Sequence, residues 1–85
     1  MKIGTIIKTQ GIEFEESELM EHAISGKYIV KYNTVYQARY TENTGPSLRK
    51  VYKSRLDRPL AKRGRYHVMR YKEVNALLGF KLLVA

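Results

Sequence analysis

Apolar and polar positions alternate at the start of the chain, where KIGTIIK (residues 2–8) sets Ile3, Thr5 and Ile7 against Gly4 and Ile6. Apolar residues on both sides of a period of two predict a first strand buried on both faces or nearly so. TQG (9–11) then offers a turn. In EFEESELMEHAISG (13–26) the period becomes helical. Leu19, Met20, Ala23 and Ile24 share one side, acids gather in the first turn, and Gly26 stands as a stop, which predicts a helix.

KYIVKYNTVYQARYTE (27–42) places Tyr28, Tyr32, Tyr36 and Tyr40 four apart. That spacing suits one face of a strand and nearly suits one stripe of a helix. The β-branched and aromatic residues decide for a strand. A continuous strand over 28–40 would put Tyr28, Val30, Tyr32, Thr34, Tyr36, Ala38 and Tyr40 on one face; a tight turn at Asn33 and Thr34 is the rival. ENTGPS (42–47) is the clearest turn in the chain. LRKVYKSRL (48–56) suits a strand with Leu48, Lys50, Tyr52 and Ser54 on one side, or a helix capped by Ser47. A strand paired to 28–40 across the loop is preferred.

Arg58 before Pro59 ends that segment. Residues 57–65 read as a flexible basic loop, RYHVMRY (65–71) as a strand, and KEVNALLG (72–79) as a short helix with Val74, Leu77 and Leu78 on one side and Gly79 as its stop. FKLLVA (80–85) reads as a tail docked as a strand. The expectation is one α+β domain over residues 1–85, ordered β-α-β-β-β-α with that last strand. Its antiparallel sheet of three to five strands would have both helices on one side.

MRYKEVNALLGF (69–80) resembles the first helix of the helix-turn-helix in small excisionase-type regulators. Residues 81–85 are too few for the recognition helix of such a motif, and no family is assigned.

Charge changes the picture. Sixteen Lys and Arg face eight Asp and Glu, for a formal net charge of +8. Residues 1–26 carry −3 and residues 27–85 carry +11. From Arg49 to Lys72 ten bases face Asp57 alone, with Tyr52, Tyr66 and Tyr71 interleaved. Cations that release counterions from phosphates, among rings that stack on bases, are the mixture nucleic-acid sites use. Six of the ten are Arg, which suits bidentate phosphate contact. Alternatively, basic stems cover apolar surface while the tyrosines supply a core that holds only two Phe and no Trp. Tyr28 and Tyr32 are expected beneath the first helix, and Tyr36 and Tyr40 toward a partner.

Other chemistry is thin. There is no Cys, no zinc spacing, no Walker-type loop and no nucleophile motif. No cofactor, metal or catalytic residue is expected, and no enzyme. His22 reads as a surface residue on the polar side of the acidic helix. His67, amid Arg65, Arg70, Tyr66 and Tyr71, supports a lesser alternative, metal-free cleavage of RNA with His67 as base. No apolar run approaches the ~20 residues that span a bilayer, so no membrane is expected and the cytoplasm is the expected location.

The preferred function is a small basic module binding DNA or RNA, mainly through phosphates. Arg39, Arg49, Lys50, Lys53, Arg55, Lys62, Arg63, Arg65 and Arg70 would contact phosphate, and Tyr40 and Tyr52 bases or sugars. The main alternative is an inhibitor or accessory protein of a phage or mobile element that turns the same Tyr/Arg face on an acidic protein partner. A homodimer burying the Tyr face is a third expectation.

Overall fold

The computed structural model describes residues 4–55 and 57–83. Within them, β1 (Ile6–Thr9), β2 (Ile12–Glu15), α1 (Glu16–Ile24), β3 (Tyr28–Lys31), β4 (Thr34–Thr41), β5 (Gly45–Lys53), β6 (Tyr66–Met69) and α2 (Tyr71–Leu78) follow in order. β1 and β2 form a separate hairpin, and an antiparallel four-stranded sheet runs β5-β4-β3-β6.

The acidic segment divides where a single helix was expected. Ile12 and Phe14 are buried while Glu13 and Glu15 are exposed, so residues 12–15 follow a strand's period of two and α1 begins only at Glu16. Gln10 and Gly11, at φ 53° and 75°, form the two-residue turn between Thr9 and Ile12. Positive φ at both positions matches the twist of a hairpin, and glycine adopts it without cost. The hairpin lies on α1's side of the sheet, and Ile6 is 58 % exposed, so the first strand is not buried on both faces. Lys2 and Ile3 lie outside the described residues. Within α1, Leu19 is fully buried, whereas Ile24 is 76 % exposed and off the apolar side.

The tyrosine run is likewise two strands, not one. Lys31 pairs with Thr34 around Tyr32 and Asn33, one residue earlier than the rival turn foresaw. The turn breaks the shared tyrosine face. Tyr28 is buried on α2's side with Val30 and Val35, Tyr32 lies in the turn, and Tyr36 and Tyr40 point toward α1's side with Ile29. Neither Tyr28 nor Tyr32 packs beneath α1.

Alternation along β3 explains why the helices take opposite faces, correcting the one-sided arrangement. Ile29 packs with Leu19 of α1, Ile12, Phe14, Ala38 and Leu48; Tyr28 and Val30 pack with Val35, Val74 and Leu78 of α2, and Leu82. Both sides of β3 are apolar, so both need a cover.

β5 pairs with β4 as a strand, with one irregularity. Val35 opposes Tyr52 and Tyr36 opposes Lys50, leaving Val51 as the extra residue of a bulge. The bulge reverses the faces. Leu48 and Lys50 stay on α1's side while Tyr52 moves to α2's side, its ring 5.4 Å from that of Phe80. α2 ends at Gly79 (φ 78°), whose N–H donates to Asn75 O at 2.9 Å. The tail is not a strand over residues 80–83. Leu82 N donates to Asn75 Oδ1 at 2.7 Å and the Tyr71 hydroxyl donates to Leu82 O, so side chains of α2 hold it; Val84 and Ala85 lie outside the described residues.

Two expectations follow. Leu19→Ala and Leu78→Ala, one on each face, should each lower the unfolding free energy in urea by about 2–4 kcal/mol. Burial, reinforced by Tyr71, raises the Tyr28 hydroxyl above the ordinary tyrosine value of 10.0, and burial with Glu18 raises that of Tyr66. Raised pKa values mean that the folded state holds these protons when the unfolded chain would release them. Their stabilisation is complete below pH 10 and falls as pH rises above it, a decline that denaturation at a series of alkaline pH values should show, reduced in Tyr28→Phe.

Candidate nucleic-acid interface

The turn at Tyr32 and Asn33 organises one end of the sheet. Asn33 is buried; its carbonyl accepts Ser54 N at 2.8 Å, its Nδ2 donates to Ser54 O at 3.4 Å, and its Oδ1 accepts the Thr34 hydroxyl at 3.0 Å. The Ser54 hydroxyl donates to Arg58 O at 2.6 Å, which bends the chain after β5. Tyr32 then takes hold of the basic loop. Its carbonyl accepts both Leu60 N (2.6 Å) and Ala61 N (2.9 Å), and Leu60 and Ala61 pack against the core beneath α2. Arg63 lies 4.9 Å from the centre of the Tyr32 ring and donates to its hydroxyl at 3.2 Å. One of five guanidinium N–H groups is used this way, and among the described residues the side chain of Arg63 makes no other hydrogen bond.

Lys53, Arg55, Lys62, Arg63 and Arg65 of the expected phosphate contacts therefore share this end. Arg58 and Lys31 join them, one in the same loop and the other beside the turn. Asp57 is the one acid in this stretch of loop. It lines a cleft of about 320 Å³ with Tyr52, Ser54, Arg55 and Arg58. Lys31 escaped the sequence reading because its signal is its place beside a turn that a continuous strand would erase. Its Nζ donates to Gly11 O at 3.3 Å, tying the β1–β2 hairpin to this end.

Most of the other expected residues lie elsewhere. Arg39 and Arg49 stand exposed on α2's side of the β4–β5 hairpin, and Lys50 and Tyr40 stand exposed on α1's side. Tyr52 is partly buried against Phe80. Arg70 follows β6 at the opposite end of the sheet. The expected set thus forms one cluster of five basic residues with Tyr52 at its edge, and a scatter of five.

Among the described residues the only basic and acidic side chains within 4.0 Å of each other are His22 and Glu18, Nε2 to Oε1 at 3.7 Å. Half-buried His22 also meets the edge of Phe14, with ring centres 6.4 Å apart, so it is not a residue of the helix's polar side. His67 is exposed on β6 opposite Val30. No group of three potential metal ligands occurs among the described residues, and none of their helices is long and apolar enough to cross a membrane. No family model, curated protein or solved structure matches the chain.

Tyr32 has φ 52°, a conformation that Asn tolerates and β-branched residues resist. Tyr32→Asn should therefore melt within about 1 kcal/mol of the parent, and Tyr32→Val about 1–2 kcal/mol below Tyr32→Asn, in parallel thermal denaturations.

Proposed function

We propose that the protein is a small nucleic-acid-binding module that holds its partner mainly through phosphates, at the end of the sheet marked by Asn33. The observation that carries this reading is the gathering there of Lys31, Lys53, Arg55, Arg58, Lys62, Arg63 and Arg65, none within ion-pair distance of a described carboxylate. Like charges brought together without partners oppose folding through mutual repulsion, and a polyanion relieves that repulsion. Two features favour a surface prepared for contact over a floating charge run. The loop is fixed at Leu60 and Ala61, and Arg63 is stacked on a ring, which reduces the side-chain freedom lost on binding.

The test is fluorescence anisotropy against labelled single- and double-stranded DNA and RNA across a salt series. Log affinity should fall linearly with log salt, with a slope corresponding to roughly four or more neutralised phosphates. Arg55→Ala combined with Lys62→Ala should weaken all sequences alike and reduce the slope by about two. Binding that vanishes by about 0.1 M salt and is equal for all four ligands would overturn the reading and turn the search to an acidic protein partner.

A further inference from the structure

We infer that the cleft between the end of α1 and the start of α2 is a binding site for a phosphate monoester of nucleotide size. The cleft has a volume of about 650 Å³ and is lined by Ser25, Gly26, Lys27, Arg70, Tyr71, Lys72 and Glu73. It is made by sheet register. Tyr28 at the start of β3 pairs with Met69 at the end of β6, so the next residue outward on each strand, Lys27 and Arg70, leaves the sheet side by side. Neighbouring strands run about 4.8 Å apart, and like charges placed opposite one another across them repel.

The backbone of Lys27 is held at this position. Its N–H donates to His22 O at 2.9 Å and its carbonyl accepts Ala38 N at 3.2 Å, tying it to both α1 and β4. Lys72 adds a third cation. Glu73 is the only acid in the lining; its Oε1 accepts Arg70 N at 3.2 Å, and it lies beyond 4.0 Å from the charged groups of Lys27, Arg70 and Lys72. Three cations against one carboxylate leave the charge of a dianion unmet, which is what a phosphate monoester supplies and a carboxylate does not.

Size and shape extend the assignment beyond inorganic phosphate. A volume of this order belongs to pockets for small organic ligands, which fall in roughly the 300–1,000 Å³ range. Tyr71 is one of the lining residues, and its side chain is held in place by the hydroxyl bond to Leu82 O and by the Tyr28 ring, whose centre lies 5.8 Å away. A base or sugar carried by the phosphate would rest on it. Because the cleft and the basic loop lie at opposite ends of β6, this site stands or falls separately from the nucleic-acid reading.

The test is an amide chemical-shift titration of the full chain with orthophosphate, with AMP, and with a short oligonucleotide bearing or lacking a 5′-phosphate. Shifts from AMP should saturate and cluster at residues 25–27 and 70–73, with AMP binding more tightly than orthophosphate. Arg70→Gln should weaken AMP roughly tenfold, the loss of one charge-assisted contact, and the spectrum itself reports whether the variant is folded. Lys72→Gln, outside the strand, provides a second variant with the same expected direction. Tighter binding of the 5′-phosphorylated oligonucleotide than of its unphosphorylated twin would assign the phosphate to a chain end, and AMP binding as tightly as that oligonucleotide would assign it to a free nucleotide. Shifts that do not saturate, that fall at residues 53–65 instead, or that are unchanged in both variants would overturn the site.

Discussion

The buried turn at Tyr32 and Asn33 is the constraint on which the second half of the molecule depends. Two residues end β3, reverse the chain into β4, hold the end of β5 through Ser54, and receive the loop that leads to β6. Few of these contacts could be supplied from elsewhere, because Asn33 uses a backbone carbonyl, an amide nitrogen and an amide oxygen at once. A buried amide satisfied on both sides specifies one arrangement, since any other leaves a donor or acceptor without a partner. The turn thereby joins folding to charge, and the bonds that close the sheet also gather the cations.

With α1 on one face and α2 on the other, β3 and the adjoining part of β4 are covered on both sides, while β6 and the outer part of the β4–β5 hairpin stay exposed. What remains accessible are ends, edges and the long β4–β5 hairpin. The two candidate sites fit this geometry. Each lies at an end of β3 and β6, one where the chain leaves β3 for the turn and the other where it enters β3 from α1. The acids of residues 13–21 belong to β2 and α1, so opposite charges are divided between one layer and the sheet's ends.

Much of this was legible in the sequence where one periodicity ran unbroken. α2, with Val74 and Leu78 inward and Gly79 as its stop, and the pairing of the segment after the turn back onto the tyrosine run were read correctly, but the turn is shorter than ENTGPS, because Gly45, Pro46 and Ser47 already pair with Thr41, Tyr40 and Arg39 as the start of β5. The errors have physical reasons. Glu13 and Glu15 look like a helix's acidic first turn, yet they are the exposed positions of a strand whose buried ones are Ile12 and Phe14. A strand's period of two does not register a hairpin turn of two residues, so the spacing of the tyrosines survived a reversal of the chain. The bulge at Val51 has no local signature at all. In the candidate sites, the run of bases in 53–65 was visible as composition, whereas the meeting of Lys27 with Arg70, and the approach of Lys31 to the loop, depend on pairing between distant segments.

The pairing of β3 with β6 also governs the order in which the chain can assemble. β1–β2, β3–β4 and β4–β5 are hairpins of neighbouring strands closed by two or three residues, and such local contacts form on the microsecond scale. β6 meets β3 only across the intervening hairpin and loop, as in Ile29 opposite Val68. Closing that larger loop costs entropy before the contact returns any energy. α2 follows β6 directly, so the cover of the second face arrives with it. The basic loop lies within that larger closure, and the repulsion among its cations opposes it. An anion that neutralises it would act on the rate of folding as well as on the folded state.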